Sequence, residues 1–165
     1  MSEKQYNVLI LCTGNSARSI LGEVLFNTLG KGKFKAYSAG SKPAGRVNPG
    51  AVEWLQNHGY TNKGYRSKSW DEFSKADAPV FDFIFTVCDN AAGEVCPIWL
   101  GHPATAHWGI PDPAHIEGDE ARRAAFNKAA EQLARRIQLF MALPIEKLDM
   151  LVLKEKLAEI GRIQD

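Results

Sequence analysis

The chain has 165 residues, 45% of them hydrophobic and 24% charged, with a formal net charge of +1. That length suffices for one real core, and the near-neutral balance excludes recruitment to nucleic acid or an acidic membrane by a global field. No apolar stretch approaches the roughly 18 residues of a membrane helix, and the opening MSEKQYNVLILC does not read as a signal peptide, so we expect a cytoplasmic protein with neither a nucleic-acid nor a membrane partner.

Tyr6–Cys12 is a continuous apolar run, as in a strand buried on both faces. Ser19–Gly30 comes next, with Ile20, Leu21, Val24, Leu25 and Leu29 at helical spacing and Gly30 as a stop. Phe34–Ser41 reads as a second strand, and Asn48–Tyr60 as a helix opened by a cap and a proline. The stretch SWDEF predicts one helical turn. Phe81–Cys88 is a third strand and Ala104–Gly109 a short fourth. A long amphipathic helix spans Asp119–Leu143, with Arg122, Arg123, Arg135 and Arg136 read as a solvated face, and a last helix runs from Pro144 to Gly161. Strands alternating with helices predict an α/β three-layer sandwich on a parallel sheet, in one domain over residues 1–165 whose residues 144–165 form a C-terminal helical extension. In such sheets the active crevice lies at the carboxyl ends of the strands. Cys12, Cys88 and Asp112 all fall on that edge.

The five residues between Cys12 and Arg18, TGNSA, are small or polar. Gly14 allows a positive φ and Asn15 tolerates one, so successive N–H groups can form an anion nest. The helix starting near Ser19 points its positive end at the same bowl, and Arg18 can fork two oxygens of a tetrahedral oxyanion. This environment is expected to lower the Cys12 pKa and favour a thiolate. Thr13, Gly14, Asn15, Ser16, Ala17, Arg18 and Ser19 are therefore the candidate oxyanion-binding residues, with Cys12 the nucleophile beneath them. The bland alternative is a buried structural cysteine.

CTGNSARS resembles the signature of the low-molecular-weight protein tyrosine phosphatase superfamily. The resemblance implies a four-stranded parallel sheet in the order 2-1-3-4. It also implies that Arg18 binds the oxyanion, that Asn15 and Ser19 stabilise the loop and the thiolate, and that Asp112 of the Asp-Pro pair in IPDP is the general acid. It covers the chain up to roughly the long helix. Ala114 and His115 come after the Asp-Pro pair where phosphatases usually place aromatic residues, and Ala17 stands where many carry a second loop cysteine.

Cys88 and Cys96 are separated by seven residues, a spacing that fits none of the short zinc pairs. Three cysteines without a signal peptide suit a reducing compartment, where disulfides are usually transient and catalytic. In the order 2-1-3-4, strands one and three are neighbours about 4.8 Å apart, which brings Cys88 within reach of an adduct on Cys12. A helical Cys88–Cys96 segment would separate the Cα atoms by about 12 Å, against the roughly 4.4–6.8 Å of a disulfide. The segment must therefore bend if the two are to oxidise, and Ala91, Ala92 and Gly93 are small enough to permit it.

Taken with HWGIPDP, the three cysteines resemble those of the phosphatase-like arsenate reductases. That resemblance implies a relay. Cys12 attacks arsenate, Cys88 resolves the adduct as a Cys12–Cys88 disulfide, and Cys96 takes Cys88 to leave a disulfide that thioredoxin, or glutathione with glutaredoxin, reduces. No bound cofactor is needed, and phosphate or sulfate would mimic the substrate. The alternative is a phosphatase acting on phosphate monoesters through a phosphocysteine, and from another class a non-catalytic oxyanion sensor. Some relatives bind potassium through an Asn, a Glu and a Ser, matched by Asn15, Glu23 and Ser38; such sites leave little trace in sequence and we assign no metal. His102 and His107 lack the spacing of a metal site, and Trp99 and Trp108 read as packing residues.

Overall fold

The computed structural model describes residues 5–60, 64–88 and 103–163. Strand β1 (Tyr6–Leu11) pairs in parallel with β2 (Phe34–Ala39) on one side and β3 (Phe83–Thr86) on the other. Strand β4 (Ala104–His107) joins β3. The order β2-β1-β3-β4 is the expected one. Its central place explains why β1 is apolar throughout. Val8 and Ile10 enter the larger core, Leu9 and Leu11 the smaller one on the opposite face, as the two-residue period of a strand requires.

Helices α1 (Arg18–Leu29), α2 (Pro49–Asn57), α3 (Asp119–Met141) and α4 (Met150–Gly161) complete the frame. Ile20, Leu21 and Val24 of α1 and Leu133, Ile137 and Phe140 of α3 fill the larger core. Phe26, Phe85, Trp108 and Phe140 form a ring cluster inside it, with Phe85 and Trp108 stacked at 3.8 Å. The other face is closed by Phe81 and by Trp70 and Phe73 of a 3-10 turn, Trp70–Phe73. Helix α2 starts as the sequence indicates, with Pro49 in its first turn and the Asn48 side chain accepting from the Gly50 N–H at 2.8 Å. Among the described residues no helix is long and apolar enough to cross a membrane.

Three expectations need correction. Strands β1 and β3 stop at Leu11 and Thr86, so Cys12 and Cys88 stand just past the paired strands, in loop backbone. The final helix does not run from Pro144. A 3-10 turn over Ile145–Lys147 gives way to extended backbone at Leu148, and Asp149 opens α4 afresh by accepting from the Val152 N–H at 2.9 Å. Arg136 is not on a solvated face. It is buried, and donates from Nη2 to the Ile163 carbonyl at 3.0 Å and from Nη1 to the Gln132 carbonyl, because the C-terminal segment folds back over α3.

That segment is part of the core. Leu153, Leu157 and Ile160 are buried, and the buried Trp108 indole N–H donates to the Leu157 carbonyl at 3.0 Å. Gly161 passes so close to β4 that a Cβ there would lie 2.2 Å from the His107 carbonyl oxygen. Trp108 is thus a packing residue, as expected; Trp99 and His102 lie outside the described residues.

Candidate active site

The loop after β1 is held by its carbonyls. The Thr13 carbonyl accepts from the Lys42 N–H at 3.0 Å and the Ser16 carbonyl from the Asn48 N–H at 2.8 Å. The Gly14 carbonyl accepts from the Ala44 N–H at 2.9 Å and from the Ser67 hydroxyl at 3.0 Å. With the oxygens braced outward, the N–H groups are left to the inner side of the bowl. Among the described residues the backbone N–H groups of Gly14, Asn15, Ser16, Ala17 and Arg18 make no hydrogen bond. Helix α1 begins at Arg18 with no side-chain cap, so its exposed N–H end adds to the same positive field. The result is an array of donors suited to a tetrahedral anion.

The tight bend is made by Asn15, whose φ is +44°, rather than by Gly14. Asparagine tolerates that region at modest cost, and here it is fixed from both ends. Its Nδ2 donates to Ser19 Oγ at 2.8 Å, and its Oδ1 accepts from the Lys68 N–H at 2.9 Å. Ser19 thus stabilises the loop through Asn15. Gly40 supplies the clearance behind the loop, since a Cβ there would sit 2.3 Å from the Thr13 carbonyl oxygen and 2.5 Å from that of Cys12.

Cys12 and Cys88 are both buried and both free thiols. The register Leu11↔Thr86 sets Cys12 beside Val87 and Cys88 one residue further on, and the two thiols are close enough to perturb each other's ionisation. Cys88 Sγ also accepts from the Thr13 N–H at 3.3 Å and lies 3.7 Å from Thr13 Oγ1. This proximity reverses the expected direction for Cys12. The neighbouring Cys88 thiol and then burial push the Cys12 thiol up, while Arg18 pulls it down with the smaller effect. The pair resists losing both protons because two adjacent buried thiolates repel.

A pH dependence is the consequence. Alkylation of Cys12 by iodoacetamide, read by mass spectrometry, should accelerate only above the ordinary thiol range near about 8.5. In Cys88→Ala the largest upward cause is gone and Arg18 remains, so the midpoint should move to lower pH. An unchanged midpoint in Cys88→Ala would show that the neighbouring sulfur does not control Cys12.

Arg18 donates from Nη1 to the Ile110 carbonyl at 2.9 Å, and its Nη2 lies 3.5 Å from Asp112 Oδ2. Asp112 Oδ1 accepts from the Ala114 N–H at 2.9 Å, and His115 Nε2 stands 3.4 Å from Oδ2. Cys12, the loop from Thr13 to Arg18, Asn48, Cys88, Asp112, Ala114 and His115 line one cleft of about 240 Å³. Nine of the expected residues thus meet there, Cys12, Thr13 to Arg18, Cys88 and Asp112; Ser19 stands behind them on Asn15, and Cys96 lies outside the described residues. Sequence reasoning missed the braces Asn48, Ser67 and Lys68 and the clearance at Gly40. Only the glycine left a signal, at the end of a strand whose neighbour carries the nucleophile. Among the described residues no group of three or more His, Cys, Asp or Glu side chains converges as a metal site.

The chain is similar to arsenate reductases and to low molecular weight phosphatases. An arsenate reductase of Halalkalibacterium halodurans is 34% identical over 134 residues, covering 81% of this chain and 93% of the relative. The crystal structure of an arsenate reductase from Archaeoglobus fulgidus superposes with a TM-score of 0.62 at 31% identity, over 79% of this chain and 98% of that one. A low molecular weight protein tyrosine phosphatase from T. tengcongensis superposes with a TM-score of 0.64 at 25% identity, over 87% of this chain and all of that one (100%). Residues 7–151 match the model of the low molecular weight phosphotyrosine protein phosphatase family, and the chain belongs to that family.

Proposed function

We propose that this protein is an arsenate reductase that works by a cysteine thiol relay and serves arsenic detoxification. The observation that carries the reading is the second free thiol, Cys88, which lines the same cleft as the Cys12 thiol and accepts from the Thr13 N–H of the anion-binding loop. A phosphatase needs one cysteine there; an electron donor needs two. The similarity to arsenate reductases supports the same choice. So does the replacement of the phosphotyrosine-flanking aromatics by Ala114 and His115.

Arsenate enters the bowl of N–H groups and takes the Arg18 fork in competition with Asp112. Cys12, a thiol in the resting site, yields its proton to Asp112 and attacks arsenic as the thiolate, and Asp112, from its place beside Arg18, passes that proton to the departing oxygen so that water leaves. Cys88 as thiolate then attacks the Cys12 sulfur. The sulfur–arsenic bond breaks, its electron pair stays on arsenic, and arsenite leaves as the Cys12–Cys88 disulfide forms. Two thiols have supplied the two electrons. Cys96 next attacks Cys88, releasing Cys12 as a thiolate and leaving a Cys88–Cys96 disulfide. An external dithiol, thioredoxin in our reading, with glutathione and glutaredoxin as the other candidate source, reduces that bond and is oxidised in turn. No bound cofactor enters these steps. A donor of this kind is maintained in a reducing cytoplasm, where we place the protein.

The test is arsenate-dependent NADPH consumption by the purified protein with thioredoxin and thioredoxin reductase. We expect consumption that requires both arsenate and this protein. Hydrolysis of an aryl phosphate together with no consumption, whether thioredoxin or glutaredoxin with glutathione is supplied, would return the site to phosphatase chemistry.

A further inference from the structure

Behind the loop, on the side away from the cleft, lies a buried polar cluster. Asn15 and Ser38 are fully buried, and Lys68 is 8% exposed. Asn15, Glu23 and Ser38 are the three residues to which the resemblance assigns a potassium ion. The structure puts another cation there. Lys68 Nζ stands 3.7 Å from Glu23 Oε1 and donates to Ser38 Oγ at 3.4 Å and to the Arg66 carbonyl at 2.9 Å. The Ser38 hydroxyl donates onward to Glu23 Oε1. The backbone N–H of the same lysine is the donor that holds Asn15 Oδ1.

An ammonium and a potassium ion compete for one carboxylate and one hydroxyl, and two monovalent cations in one buried pocket repel. The residues present therefore do not fit a resident metal ion. We propose that Lys68 is the built-in cation of the oxyanion loop. Its ammonium takes the place of a potassium ion against Glu23 and Ser38, and its backbone pins Asn15, so the loop keeps its anion-binding shape without any monovalent metal. Lys68 is in this sense a positioning residue: it touches no substrate and acts through Asn15 and Glu23. Burial pushes the Lys68 ammonium down and the Glu23 carboxyl up, and their mutual attraction opposes both shifts, as for a pair that neutralises itself inside the protein.

The experiment compares the full-length protein with two variants in potassium, sodium and choline chloride at one ionic strength. It reads sulfate affinity by calorimetry and melting temperature, so its failure is distinct from failure of the arsenate reading. Wild-type protein is expected to bind sulfate equally in all three salts. Lys68→Ala removes the ammonium and opens space. It should bind sulfate about tenfold or more weakly in choline, from loss of charge-assisted hydrogen bonds, and regain affinity and melting temperature saturably with potassium. Lys68→Met removes the charge but keeps the bulk, so it should weaken without rescue. The proposal is overturned if the wild-type protein itself depends on potassium. It is equally overturned if Lys68→Ala binds like wild type in choline, or weakens with no salt able to restore it. Should Lys68→Ala not fold in choline, its folding in potassium supports the proposal and its failure in all three salts counts against it.

Discussion

Cys88→Ser is expected to reduce arsenate turnover to background while leaving sulfate binding close to wild type. The reason is the division of labour in the cleft. In the proposed mechanism Arg18 and the N–H groups from Gly14 to Arg18 bind the anion, and none of these groups belongs to Cys88. A serine keeps the volume and a hydrogen-bonding atom near the Thr13 N–H, but an alkoxide is no match for a thiolate at a sulfur electrophile. The reaction then halts at a Cys12 adduct, and any slow phosphate-ester hydrolysis through Cys12 persists. Stopped assays for arsenite, with calorimetry for sulfate, decide the matter. Wild-type turnover by Cys88→Ser with thioredoxin present would end the relay as an account of this protein.

The C-terminal helix offers the second large effect. Full burial of a leucine or isoleucine contributes about 1.5–3 kcal/mol, and α4 brings three such residues, Leu153, Leu157 and Ile160, into the main core. Truncation after Leu148 removes all three, about 4.5–9 kcal/mol, which rivals the about 5–15 kcal/mol that holds a typical domain folded. It also strips Trp108 of its carbonyl partner on Leu157. We expect the truncated chain not to fold cooperatively. The milder Leu157→Ala should cost about 2–5 kcal/mol, a fall of roughly 5–20 °C in melting temperature at this chain length. Circular dichroism melts of both chains provide the check. A truncated chain melting like the whole protein would show that the helix is an accessory.

The features legible in the sequence are mostly local. The strand–loop–helix from Tyr6 to Leu29 is contiguous, so its apolar period, its Gly-Asn-Ser turn and its arginine announce themselves together. The meeting of Cys12 with Cys88 needs only the strand order, and the structure has it. The features that escape a sequence reading arise between distant segments. Lys68 reaches Asn15 across 53 positions, and no pattern in RSKSW distinguishes a buried lysine from a surface one. Arg136 reads as solvated when α3 is judged by its own periodicity, without the tail that covers it. The Cys12 expectation fails for a related reason: Arg18 and the helix end are its sequence neighbours, whereas the larger upward effect comes from a sulfur in another strand's loop. The last helix reads too long because Asp149, a capping residue, sits within an otherwise helical pattern.

The loop's braced carbonyls bear on selectivity. A ring of backbone N–H groups with one guanidinium measures geometry and charge; it has no means of sensing the central atom. Phosphate must therefore occupy the bowl in competition with arsenate whenever both are present. Discrimination then falls after occupancy. A phosphorylated Cys12 gives Cys88 no reducible centre on which to leave an electron pair, so the attack that commits the arsenic adduct finds no outlet with phosphorus. Rejection of the wrong oxyanion is on this view a matter of redox accessibility, exercised one step downstream of recognition, and the proposed relay tolerates a promiscuous grip because attack on the Cys12 sulfur goes through only when the atom bonded to it accepts the electron pair.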